Sequence, residues 1–452
     1  MTQKSSNKIT IMGGGLAGCF LATLLANRGY KVELFEKLSK EEISNVNSNR
    51  SYNITFLAYG IEMLKQAKIW TTIKPQTHLL KGASTQLSKN SKPIFTPTYD
   101  EKHEYYAISR SCLLTIMIDT LSKNPLVSLH FNTELLSIDR YEKTIIVENV
   151  KTKKIETFAC DVVIGADGVN SLVRPFLQQG QDTSHSQEYS SGGYKQFTIS
   201  KEQVDALRLQ KGVSYTWSAQ GKYILAFPNL DDSLASLLIY PQDNDAFDSL
   251  KTEKSIYSLI NEDFPFLSLI NKNIAEQLLA NSKGVFVTIH TDPWYYKDFI
   301  TLVGDAAHGF YPFFGQGTSA AFGDCMKLAE LIDKYGTDWQ KIFPLYQEAR
   351  KKHMDALGEL SKEGLMRYAR NKRADFETIY DKLESIGHTL LPKYINPPIV
   401  APVMNDPEHT ADYVENAKRQ RKIAKRIGAS LAATMLVGLV AAYENVQTKK
   451  KN

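Results

Sequence analysis

Three stretches of this 452-residue chain carry residue types and spacings suited to holding a nucleotide. The first is Gly13-Gly14-Gly15-Leu16-Ala17-Gly18. Gly13 permits a tight turn, Gly15 lets backbone N–H groups approach a pyrophosphate at a helix N-terminus, and Gly18 lets helix and strand pack closely. Glu36, at the end of the next apolar run, is placed to accept hydrogen bonds from a ribose. NAD and FAD satisfy this fingerprint equally. The second stretch is Gly165-Ala166-Asp167-Gly168, with Ser171 and Arg174 after it. The third is Gly304-Asp305-Ala306-Ala307-His308, continuing through Pro312-Phe313-Phe314-Gly315-Gln316-Gly317-Thr318.

The elements that must position these residues follow from periodicity. A strand over Lys8–Met12, a helix over Leu16–Arg28 and a strand over Lys31–Glu36 make a βαβ opening. Runs rich in β-branched residues from Leu126 to Cys160 predict a small antiparallel sheet, and Asp161–Gly165 and Asp298–Val303 read as buried strands. Between Gly192 and Ile289 alternating strands predict a second, sheet-based domain, interrupted by a helical piece near Ser255–Leu279. Gly317–Tyr335 reads as a helix, and helical periodicity runs from Trp339 to about Leu391 before prolines break it.

In order and at strand ends, the three motifs together resemble those of the single-component flavin-dependent aromatic hydroxylases. Within that class the sequence is most similar to the kynurenine 3-monooxygenases, through Arg50-Ser51-Tyr52-Asn53-Ile54, Ile108-Ser109-Arg110, His130-Phe131-Asn132, Gly193-Tyr194, Ala226-Phe227-Pro228-Asn229 and Pro312–Gly317. The resemblance runs from about Lys8 to Tyr335 and weakens beyond. It implies FAD as cofactor, NAD(P)H as electron donor, and O2 activated as a flavin C4a-hydroperoxide that hydroxylates a small molecule. FAD would be held by Gly13, Gly15, Leu16, Ala17, Gly18 and Glu36, by Arg110 near the phosphates, and by Asp167 and Gly168. Asp305 would bond the ribityl chain, and Gly315, Gly317 and Thr318 would offer N–H groups to the O2/N1 edge of the ring. Phe313, Phe314, Gly315 and Gln316 would flank the ring, with no acid or base assigned and His308 given no catalytic role. Ordinary chemistry also accounts for parts of this set: Asp167-Gly168 as a turn, Asp305 as a helix cap, Arg110 as a surface cation.

The departures concern the substrate. By the resemblance, the arginine that holds a substrate carboxylate would align with Ala83, leaving Lys81 two residues earlier, a point charge in place of a fork. Tyr99, Pro312, Phe313 and Tyr368 complete the substrate-side candidates, with Gly364 and Tyr368 where Asn and Met are expected. Other readings stay open: a flavin reductase or dehydrogenase that never oxygenates, and a flavoprotein without turnover that serves as a binding module.

The expected fold is α/β: a Rossmann-type FAD-binding domain with an inserted antiparallel-sheet substrate domain and a helical C-terminal region. The boundaries fall at 1–190 (FAD-binding, with the small sheet), 191–290 (substrate domain), 291–340 (return to the FAD-binding domain), 341–426 (helical) and 427–452 (tail). Residues 411–452 hold nine Lys/Arg against three acids, a net +6 of the chain's +5, so the body sums to −1 and has no charge that would recruit nucleic acid. Ile427–Tyr443 is seventeen residues without a charge, at the lower edge of what spans a hydrocarbon core; membrane association through 427–443 is the preferred reading, and a terminal helix packed on the protein surface or an in-plane amphipathic helix stays open beside it. Four cysteines without chelating spacing, and no apolar leader, point to a cytoplasmic protein with no metal site.

Overall fold

In the computed structural model, residues 8–45, 53–97, 104–241, 246–369, 384–386, 388–389, 395–424 and 426 are described. The chain divides into two compact units, Met1–Lys372 and Arg373–Asn452. Ile427–Tyr443 lies outside the described residues, among which no helix is long and apolar enough to cross a membrane.

The first unit is built on a six-stranded sheet whose centre is the opening βαβ unit. Lys8–Met12 lies between Lys31–Phe35 and Val163–Gly165, parallel to both, and Ile300–Leu302 continues the sheet beyond Val163–Gly165. These strands are short runs of Ile, Val and Leu buried on both faces, as parallel strands covered by helices must be. Ten of the eleven residues of the helix Leu16–Ala26 are buried. The helix packs against Gly317–Tyr335, where Phe20 stacks on Phe322 with ring centroids 4.0 Å apart.

One strand departs from the sequence-based expectation. Val127–His130 joins this sheet, parallel to Lys31–Phe35, and only Thr133–Asp139, Thr144–Asn149 and Ile155–Ala159 form the small antiparallel sheet. A four-residue apolar run looks the same in either setting, and parallel pairing wins because it extends a sheet already buried. A larger sheet of seven strands runs, in spatial order, Gly284–Asp292, Ser184–Ile199, Leu234–Tyr240, Lys222–Pro228, Val213–Ala219, Gly82–Gln86 and Ile94–Pro97. Its last two strands come from within residues 1–190, and Gly82–Gln86 pairs parallel with Val213–Ala219.

That sheet has two faces of different character. Trp217, Tyr215, Ile224 and Leu238 pack beneath the helices Glu253–Asp263 and Asn271–Ala280. On the opposite face Tyr223, Ile239 and Phe286 pack with Tyr311 and with Leu365 of the long helix Trp339–Ala369. Two segments that carried the resemblance meet at its edge: the Asn53 amide donates to Pro228 O and to Asn229 Oδ1, each at 2.9 Å. In the second unit the Arg421 guanidinium forks onto Glu384 at 3.0 and 3.2 Å.

Candidate functional site

The parallel strands all end on one edge, where an open α/β sheet binds ligands. The strand Lys8–Met12 delivers the glycine turn there. A Cβ at Gly18 would stand 2.0 Å from Gly13 O, and one at Gly13 would stand 2.5 Å from Ala166 O, so neither position admits a side chain. Gly15 differs, with no protein atom within 4 Å of the place its Cβ would occupy. It is the N-cap of Leu16–Ala26, and no side chain caps that helix. Uncapped N–H groups beside open space are what a pyrophosphate needs.

The other two motifs converge on the same space. Gly13, Gly15, Leu16 and Ala17 border a cavity of about 340 Å³, facing Asp167 and Gly168 on one side and Asp305, Gly317 and Thr318 on another. Glu36 and Arg110 complete the ring. Gly168, Gly315 and Gly317 match Gly15 in having no protein atom within 4 Å of the place a Cβ would occupy. Three segments far apart in sequence thus leave one continuous trough, lined by backbone donors and by charges of both signs. Its shape and donor set fit FAD.

The carboxylates of the site are held in different ways. Glu36 accepts from the backbone N–H of Gly14 at 2.7 Å and of Leu38 at 2.9 Å, which fixes its orientation at the cavity rim. Asp167 Oδ2 accepts from Leu172 N at 2.7 Å and Val173 N at 3.1 Å, while its Oδ1 is buried without a partner. Loss of solvent pushes the Asp167 carboxyl up, against the pull of Ser171 and these N–H groups. Asp305 begins the short helix Asp305–His308 and is open to the cavity it lines. Protein surrounds it deeply enough that desolvation also pushes its carboxyl up, opposed by His308 and Arg110.

Arg174 ties two of the motifs together. Its buried guanidinium donates to Ala306 O at 2.9 Å and to Val169 O at 2.8 Å, one carbonyl from each motif. Behind Asp305 lies a network that the sequence did not single out. Asp324 accepts from Gly304 N at 2.9 Å and from Arg350 Nε at 2.8 Å, and lies 2.5 Å from His308 Nε2. Burial alone would raise the Asp324 carboxyl, but the His308 and Arg350 charges and their hydrogen bonds hold it at about 2.

The loop between Gly309 and Gly315 alternates its side chains between two environments. Phe310 and Pro312 border the cavity, whereas Tyr311 and Phe313 pack on the aromatic face of the seven-stranded sheet. Phe314 and Gln316 are buried beneath, and Gly315 takes a φ of 64° that a side chain would strain. Gly364 lets the Phe313 ring close on the long helix, since a Cβ there would lie 2.3 Å from its Cε1.

Not every candidate reaches this place. Lys81 is exposed, its stem over Gly212, and it does not border the cavity. Tyr99 lies outside the described residues, and for Tyr368 the described structure extends to its helical backbone only. Conversely Phe35, Lys37, Thr133, Glu134 and Leu135 border the cavity without having been singled out. Thr133 arrives because Val127–His130 runs parallel to Lys31–Phe35 and the chain crosses over Glu36, where Thr133 N donates to Glu36 O at 2.9 Å. Reading LVSLHF as a parallel strand would have placed them at the same sheet edge.

Comparison with known proteins agrees with this arrangement. Residues 6–360 match the family model described as FAD binding domain. A kynurenine 3-monooxygenase of Legionella pneumophila (strain Corby) is 35% identical over 355 residues, covering 78% of each chain. The Salinispora tropica kynurenine 3-monooxygenase is 28% identical over 98% of each chain. Among solved structures, 2-methyl-3-hydroxypyridine-5-carboxylic acid oxygenase shares the fold, with a TM-score of 0.68 at 20% identity over 82% of this chain and 94% of that one. The chain therefore belongs to the FAD-binding-domain family of FAD-dependent monooxygenases, in the group that includes the kynurenine 3-monooxygenases.

Proposed function

We propose that this monooxygenase uses NAD(P)H to hydroxylate a small aromatic molecule held between the flavin ring and the aromatic face of the seven-stranded sheet. The observation that carries this reading is the alternating loop, which turns Pro312 toward the FAD cavity and Tyr311 and Phe313 toward that face. The N–H groups after Gly15 take the pyrophosphate, Glu36 a ribose and Arg110 the phosphates. Asp305 takes the ribityl chain, and the N-terminus of Gly317–Tyr335 faces the edge of the ring where negative charge gathers on reduction. Bound FAD supplies electron acceptance from NAD(P)H and the activation of O2. The chain's part is to orient the ring and keep water away, which the packed side chains of Phe313 and Phe314 serve. In this reading residues 191–290 and the strands Gly82–Gln86 and Ile94–Pro97 make the substrate wall.

Purified protein should be yellow, and its NAD(P)H-driven oxygen uptake should rise when an aromatic ligand is added, with hydroxylated ligand as product. Flavin reduction by NAD(P)H with ligand bound but no oxygenated product would reject the hydroxylase in favour of a dehydrogenase.

A further inference from the structure

The aromatic face can be read strand by strand for charge, because the register fixes which residues share it. Tyr194 pairs with Ile239, and Ile239 with Tyr223; Gln196 pairs with Leu237, and Leu237 with Leu225. Leu225 continues the row through Thr216 to Thr85, and Tyr223 pairs with Ser218. Ala83 lies on this face opposite Ser214. None of these residues is Lys or Arg.

The lysines of the same strands turn the other way. Lys195 Nζ donates to Leu278 O at 2.6 Å and Lys222 is paired with Asp263, both under the helices of the opposite face. Where the long helix covers the sheet, the cations Lys362 and His290 already have anions. Lys362 meets Glu188 at 2.8 Å, and His290 stands 3.6 Å from Asp355 and 3.7 Å from Glu359. Lys37 and Arg110 border the FAD cavity, on the other side of the loop. What the face does hold is neutral capacity: Ser218 Oγ and Thr288 Oγ1 are buried without a partner.

We propose that the substrate bound against this face is an aromatic molecule without a carboxylate, an aryl amine or phenol recognised by ring contacts and by neutral hydroxyl groups. The inference rests on the reading that this face is the substrate wall. Among the described residues of these strands an ionised carboxylate moved here from water would find no cation to replace its hydration, whereas a carbonyl, amine or hydroxyl would meet partners of its own kind. Aromatic rings meanwhile gain from the Tyr194, Tyr223 and Phe286 side chains.

The test uses the FAD-loaded full chain and three probes: ortho-aminoacetophenone, its carboxylate-bearing homologue ortho-aminobenzoylpropionate, and L-kynurenine. Binding is read from the change in the flavin absorbance band, with ligand-stimulated oxygen uptake followed in parallel. The neutral ketone should bind at least about tenfold more tightly than either carboxylate. The variant Ala83→Arg, which sets a guanidinium on this face, should narrow or reverse that order with FAD content unchanged. Equal or tighter binding of the carboxylates to the wild-type protein overturns the proposal. If L-kynurenine also stimulates oxygen uptake, the hydroxylase reading survives that failure. If no probe shifts the flavin band or stimulates uptake, the assignment of this face as the substrate wall falls as well.

Discussion

His308 Nε2 and Asp324 Oδ2 lie 2.5 Å apart, both buried, at the base of the loop that carries Asp305. Arg350 reaches the other oxygen of the same carboxylate from the long C-terminal helix. The carboxylate also holds Gly304 N, so one side chain ties the strand end, the helix Gly317–Tyr335 and the long helix together. Removing Arg350 takes from the buried Asp324 carboxylate one of its two side-chain partners. Arg350→Met should therefore cost the protein about 3–5 kcal/mol in urea unfolding at pH 7. Because the folded Asp324 carboxyl is held at about 2, below the ordinary unfolded value, its stabilisation is complete above about pH 4 and is lost as pH falls through 2. The acid limb of the stability profile should flatten in Asp324→Asn, and an unchanged limb would show that another group governs it.

Gly15 and Gly18 belong to one motif but should fail in different ways. Open space surrounds Gly15, and its φ of −74° suits any residue. Gly15→Leu should then cost the apoprotein no more than about 1 kcal/mol while filling the trough, so that little FAD co-purifies. Gly18→Ala instead drives a methyl group against Gly13 O and should destabilise the apoprotein itself by about 1–3 kcal/mol. Full FAD occupancy in Gly15→Leu, measured by absorbance after gel filtration, would remove the pyrophosphate from this turn.

The parts of the site that were legible in the sequence are those whose chemistry is local. A glycine that must admit a phosphate and a strand that must precede it are neighbours in the chain, so Gly13–Gly18, Gly165–Gly168 and Gly304–Asp305 could be read directly. Asp324 and Arg350 could not, because each looks like an ordinary polar residue on its helix and they are 26 positions apart. Only the packing of the two helices makes them partners. The strand Val127–His130 was hidden for another reason: four apolar residues specify a buried strand without saying which sheet buries it. Lys81 shows the converse, since strand parity kept it as a candidate while its position just before Gly82–Gln86 leaves it in solvent.

Gly364 of the long helix lies against the Phe313 ring, with no room for a side chain between them. Gly364→Ala places a methyl carbon inside the contact distance of the ring, and the ring can yield only by leaving the cluster with Tyr311 and Leu365. The expected cost is about 1–3 kcal/mol, with FAD retained. Ligand-stimulated NAD(P)H oxidation should fall with a raised KM, because the displaced ring changes the wall and not the cofactor trough. A change in FAD affinity with ligand kinetics unaltered would place Phe313 on the cofactor side instead.

Asp305 gives a prediction of opposite sign for stability and for cofactor binding. Desolvation raises its folded-state carboxyl above the unfolded value of about 3.9, so ionising it opposes folding. The penalty grows as pH rises above the unfolded value and is complete above the folded one. Asn has the same shape and no charge. Apoprotein carrying Asp305→Asn should therefore melt at a higher temperature than wild-type apoprotein at pH 7, with the difference vanishing toward pH 4. The same variant should bind FAD more weakly, since an amide replaces the anion proposed to accept from the ribityl hydroxyls. Such a residue destabilises the empty protein and is retained for what it binds. A variant that melts lower at pH 7 would mean that the attraction of His308 and Arg110 outweighs the lost hydration, and that Asp305 supports the fold rather than straining it.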